Sequence, residues 1–235
     1  SKMYYEMDMG QIEIAKKELP DYLEIYTPFE KMHFAHLIIK IIDRRTSFIE
    51  KSFSKYEDTW SGVWVDIIPL CGVPKNRIIR EFYYFYWYKE MYLNLYLRED
   101  YMGSHLVFLQ KMLKKFILKY RDSNYYMRKQ LKFIKKFPVS GSELIMEAGF
   151  FKFKQWTSKK EWFNNRKSIQ FEDTEIYIPD DFDSYLTQQY GDYMTIPKID
   201  ERTVHNGFID LKTPYTEYVK NPEIVRAYFR NEESK

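Results

Sequence analysis

Apolar and polar positions change period more than once along the chain, and each change marks a structural boundary. In residues 5–18, Ile12, Ile14, Ala15 and Leu19 recur among charges, a helical pattern that Pro20 ends. A short extended piece at 22–26 stops before Pro28. The run 33–42 gathers Leu37, Ile38, Ile39, Ile41 and Ile42, and this β-branched density predicts a buried strand, with a short core helix as the alternative. Residues 46–48 either extend that strand or begin a second one. The clearest strand is 62–68, Gly-Val-Trp-Val-Asp-Ile-Ile, closed by Pro69.

From 76 to 137 the period becomes helical. One long helix is predicted over 78–97, broken at 100–103. A second covers 106–119, where Leu106, Leu109, Leu113, Phe116 and Ile117 fall three and four apart. A third covers 125–137 and ends before Pro138. A short element begins at 140–143. Residues 171–178 alternate as one strand closed by Pro179, and 183–190 read as a helix capped by Gly191. The tail beyond Pro222 is helical. There is no internal repeat.

Composition narrows the class. The chain has 235 residues, 45% of them apolar and 19% aromatic, ample for the core of one domain. A net charge of +3 is too small to imply a nucleic-acid partner. One cysteine, Cys71, allows no internal disulfide and suits a reducing compartment. No apolar run reaches the ~18 residues of a membrane-spanning helix, and no secretory pattern opens the chain. The expectation is a soluble cytoplasmic protein.

Chemistry enters through the exceptions to these patterns. Asp66 stands inside an apolar strand, so it must pair with a cation such as Arg44 or Arg45, hold a metal, or lie at an exposed edge. Glu6 and Asp8 would face one Mg²⁺ together on a strand, but would lie about 200° apart on a helix, where acids near the start simply favour the dipole. The block Tyr190-Gly191-Asp192-Tyr193-Met194 is a tight aromatic turn, with Asp192 able to cap it and His205 following as an acid, base or phosphate partner. Residues 111–136 hold ten Lys or Arg against Asp122 alone, interleaved with aromatics. This stretch is either two solvated amphipathic helices or a surface for an anionic polymer or membrane face. The aromatics of 82–101 suit helix packing or cation–π binding. His33 and His36 lack a third ligand nearby.

Taken together, these residues resemble the LicD family of phosphotransferases, which includes the fukutin-like proteins. Residues 12–23 are similar to the helix after the family's acidic loop. Lys40, Asp43 and Thr46-Ser47-Phe48-Ile49-Glu50 resemble its Lys…Asp…Thr-Thr-Phe-Ile-Glu region. Residues 62–74 resemble Gly-x-x-Ile-Asp-Ile-Phe-Pro-Leu-Asp-Gly-x-Pro, with Asp66 on the family's third acid and Cys71 in place of an Asp. Residues 171–205 resemble its Phe-Glu…Ile-Pro…Tyr-Leu…Tyr-Gly-Asp-Tyr-Met…Pro…His signature. The family's Gly-x-x-Leu-Gly…Trp-Asp-Asp-Asp-x-Asp stretch has no counterpart ahead of the first matching helix.

The resemblance implies an α+β, nucleotidyltransferase-like fold, a small mixed sheet with an extended helical region. One domain would span 1–235: a partial sheet core at 1–75, a helical region at 76–150 and the signature region at 151–235. It implies Mg²⁺ and a CDP-activated donor such as CDP-choline, with phosphocholine or a related phospho-alcohol passed to a cell-surface glycan or teichoic acid precursor at the inner membrane face. Asp66 would be catalytic base or metal ligand. Glu6 and Asp8 would be the other metal acids, and Lys40, Asp192 and His205 the substrate contacts. The alternative is a member without turnover that binds a nucleotide or glycan, or partners an active enzyme.

Overall fold

The computed structural model describes residues 9–30, 36–98, 107–122, 124–149, 154–196, 198 and 207–233. Glu6, Asp8, His33 and His205 lie outside the described residues. The fold is mixed α and β, with small antiparallel sheets. The chain divides into two compact units, each assembled from separate stretches, and α2 (Arg77–Arg98) contributes residues to both.

The unit that contains Asp66 begins with α1 (Met9–Glu18), which stops ahead of Pro20 as the pattern predicts. Then β1 (Leu23–Tyr26), β2 (Ile39–Asp43) and β4 (Trp64–Ile67) form an antiparallel sheet in the order β1-β2-β4. Within the described part of the apolar run 33–42, the strand begins at Ile39. Residues 47–50 are a second strand, β3 (Ser47–Glu50), which pairs with β10 (Gly207–Asp210) over a wide sequence separation. Helices α6 (Tyr215–Lys220) and α7 (Glu223–Glu233) pack over this ribbon, closing a core of Ile49, Trp60, Tyr215, Val225 and Phe229. Arg226 of α7 pairs with Glu57 and so ties the C-terminal helix to the 3₁₀ turn Glu57–Thr59. Helix α3 (Val107–Tyr120) also belongs to this unit.

The other unit has a three-stranded antiparallel sheet, β5 (Leu70–Val73), β6 (Leu144–Glu147) and β7 (Thr157–Lys159), in that order. Every residue of β5 is buried. Gly72 is required there because a Cβ would overlap Ser142 and the carbonyls of Phe137 and Pro138. Helix α4 (Tyr125–Ile134) ends three residues short of the expected 137, and Tyr83 of α2 meets both Phe133 on it and Phe137 beyond its end with ring centroids 4.8 Å apart. The stretch read as one strand over 171–178 is a hairpin of β8 (Arg166–Phe171) and β9 (Thr174–Pro179). Its turn is Glu172-Asp173, with Glu172 at φ 51°, a left-handed conformation that no glycine announces. Helix α5 (Phe182–Tyr190) follows, capped by Asp181 at its start and by Gly191 at φ 70° at its end. No helix among the described residues is long and apolar enough to cross a membrane.

Candidate functional site

The register of the β1-β2-β4 sheet places Tyr26, Lys40 and Asp66 directly opposite one another on three adjacent strands. Directly paired residues share a face, so the three side chains form one transverse row. Asp66 lies on β4, an edge strand, and its side chain is 39% exposed. Lys40, on the central strand, is 8% exposed, and its Nζ stands 3.9 Å from Asp66 Oδ1. A second contact fixes the ammonium: it lies 3.6 Å above the ring of Trp64, two residues before Asp66 on the same face of β4.

A buried ammonium among apolar walls is costly to keep charged. Burial lowers the Lys40 pKa from its ordinary value, and the carboxylates of Asp66 and Glu50 oppose that shift. Phe48, Phe53, Trp60 and Trp64 line the cavity that holds Lys40, with Glu50 and Ser61 among its polar members. The Tyr26 hydroxyl is pushed upward, first by burial and then by the Asp66 charge, and it hydrogen-bonds Ser61. It therefore remains a neutral hydrogen-bond donor across the physiological range.

Asp66 is thus paired and at an edge, two of the three solutions its position allowed. Its partner is Lys40, however, and neither arginine. Asp43 holds Arg45 through contacts of 2.9 and 2.7 Å, and Arg44 reaches Glu24 at 3.7 Å. Antiparallel register decides this, since it brings residue 40 beside residue 66 and leaves 44 and 45 beyond the strand end.

Asp192 belongs to the other unit. Its carboxylate accepts a hydrogen bond from the Thr195 hydroxyl at 2.6 Å, and its carbonyl accepts one from the Thr195 amide at 3.3 Å. It closes the turn after Gly191, the structural role that its sequence position allowed. Tyr193 donates to Asp183 at 2.6 Å across the same turn. Cys71 is buried on β5, where its Sγ shares a hydrogen bond with the Tyr83 hydroxyl at 3.3 Å. Burial pushes this thiol up to about 12, so it has no thiolate chemistry at neutral pH.

Tyr26 and Glu50 are the members that sequence reasoning did not single out as chemistry. Glu50 was visible only as part of a matching run, and Tyr26 required the cross-strand register. Among the described residues, no group of three or more His, Cys, Asp or Glu side chains forms a metal site. No family model matches the chain. Nor does any curated protein or any solved structure match it.

The donor chemistry of Asp66 itself suits a magnesium ion. Mg²⁺ takes hard oxygen ligands, keeps several waters and is held through one or two carboxylates together with substrate phosphates. A half-exposed carboxylate at a strand edge can fill one such position while its neighbour Lys40 meets an anion.

Proposed function

We propose that this chain is a LicD-type phosphotransferase, moving phosphocholine or a similar phospho-alcohol from a CDP-activated donor to a glycan or teichoic acid precursor. The observation that carries the proposal is the Tyr26–Lys40–Asp66 row, in which a buried, fixed cation stands beside an accessible carboxylate. Phosphoryl transfer asks little covalent chemistry of a protein and relies on positioning and charge neutralisation. In the proposed reaction an acceptor hydroxyl attacks the phosphorus that bears the alcohol. The anhydride bond to the second phosphate breaks, and CMP leaves.

Lys40 supplies a positive charge in a low-dielectric wall, where its hold on a phosphate oxygen is stronger than at an open surface. The Trp64 ring and the β2 backbone fix its position, so little reorganisation is needed as charge develops. Tyr26 adds a neutral donor next to it in the row. On this reading Asp66 either holds the metal or takes the hydroxyl proton, and one carboxylate serves only one of these at a time. Bound Mg²⁺ would supply Lewis-acid neutralisation of the phosphates. Glu6, Asp8, Asp192 and His205 enter this reading through the family resemblance.

The test is CMP release from CDP-choline by the chain, with Mg²⁺ and a glycan acceptor. Turnover that Asp66→Asn abolishes while the thermal midpoint holds would support the proposal. Unchanged turnover in Asp66→Asn would overturn the assigned role. Metal-dependent nucleotide binding with no turnover would identify the alternative, a nucleotide- or glycan-binding partner protein.

A further inference from the structure

We infer that α3 is an interfacial helix that docks this chain on an anionic lipid bilayer. The inference stands apart from the phosphotransferase reading, since it rests on one helix distant in sequence from the Lys40 row. From Val107 to Tyr120 the helix contains no acidic residue. Met112, Phe116 and Tyr120 recur every fourth position with Leu113 beside them, and at 3.6 residues per turn these four share an arc of roughly 100°. All four face water, at 57%, 62%, 59% and 49% exposure.

A second stripe runs alongside. Lys111, Lys115 and Lys119 recur at the same spacing, each one position before an apolar residue, and all three are exposed. The stripes touch: Lys119 Nζ lies 5.4 Å from the Tyr120 ring centroid, and the Phe116 and Tyr120 rings meet edge-on at 5.3 Å. Apolar side chains bordered by a row of ammonium groups match a surface with negative headgroups above a hydrocarbon layer. Lysines can reach the headgroups while Phe116 and Met112 enter the acyl boundary.

Charge complementarity selects the occupant. A nucleic acid would use the lysine stripe but leave Met112 and Leu113 in water. A second copy of the helix would bring one all-basic element against another. At 14 residues the helix is about 21 Å long, too short to span a bilayer and suited to lying in its surface.

The test is co-sedimentation of the full chain with phosphatidylcholine vesicles, with and without about one third phosphatidylglycerol. The expected result is binding to the anionic vesicles only, weakened by salt. Lys115→Glu with Lys119→Glu should lower the affinity by at least about 30-fold, the loss expected from removing two basic residues near an anionic surface before the added repulsion of two carboxylates. Phe116→Ser with Tyr120→Ser should lower it as well. Both double variants alter exposed side chains, so circular dichroism and thermal midpoint should match the native chain. No binding to anionic vesicles, equal binding to neutral ones, or native affinity in either double variant would overturn the inference. So would a native dimer that Phe116→Ser dissociates without changing lipid binding.

Discussion

Replacing Lys40 by Met should leave the chain about as stable as before, an unusual outcome for a nearly buried residue in a central strand. Met keeps the length and most of the volume of the lysine stem, so no cavity opens of the kind that costs roughly 2–5 kcal/mol. The variant loses the contact with Asp66, but a pair at 3.9 Å with one partner 39% exposed contributes only about 0–1 kcal/mol. It also loses the cation–π contact with Trp64, about 0.5–2 kcal/mol. Against these losses stands relief of the ammonium's desolvation, which lowers the Lys40 pKa despite two nearby carboxylates. Asp66 is left in partial solvent and not as a buried orphan charge. The opposing contributions leave a net change within about 1 kcal/mol, or a few degrees in midpoint for a chain of this size.

Lys40 also makes the stability of the native chain depend on pH. The folded pKa of Lys40 lies below the ordinary 10.5, so in the interval between the two the unfolded chain binds more protons. Native stability should therefore rise as pH climbs through the folded pKa toward 10.5, and the Met variant should lack that component. Urea unfolding followed by tryptophan fluorescence, at neutral pH and at mildly alkaline pH, measures both effects. A loss above about 3 kcal/mol in Lys40→Met at neutral pH would refute the reasoning, because it would make the ammonium a net structural support.

Other consequences can be checked one by one. Gly62→Ala should lower the midpoint by about 5–15 °C, from a cost of about 2–5 kcal/mol. Its Cβ would overlap the Asp43 carbonyl and disturb the two 2.8 Å hydrogen bonds that seat Val63 on Asp43 and Thr46, which differential scanning calorimetry would register. Cys71 should resist a disulfide reagent in the native chain at neutral pH and react on unfolding; rapid native labelling would contradict its burial and raised pKa. Asp210 is held at about 2, first by the Tyr218 hydroxyl at 2.7 Å and then by the Lys212 amide at 2.8 Å. Its contribution is present above the ordinary 3.8 and fades as pH falls toward 2, so Tyr218→Phe should shift the carboxyl titration upward, as measured by NMR, and start acid unfolding at higher pH.

The helices were legible because their signal is local and long. The period of 78–97 is realised in α2, and Gly191 caps α5 where the pattern stops. Strand partners were not legible, because pairing depends on residues far apart. Nothing in Ser47–Glu50 points to Gly207–Asp210, and nothing in the run after Pro69 separates the buried strand β5 from a loop. The hairpin at 166–179 was hidden because a Glu-Asp turn lacks the Gly or Asn that marks most such turns. At the candidate site the anomaly was visible in sequence and its resolution was not. An acid in an apolar strand announced Asp66, while register alone chose Lys40 over Arg44 and Arg45 and added Tyr26 to the row.

Calorimetric titration of the native chain and of Lys40→Met with CDP-choline in the presence of Mg²⁺ tests the role of that row most directly. A fixed, charged ammonium on a phosphate oxygen contributes about 1.5–3 kcal/mol. The native chain should therefore bind, and the variant should bind at least about ten-fold more weakly, with its thermal midpoint within a few degrees of the native value. Equal affinity in the two chains would contradict that role.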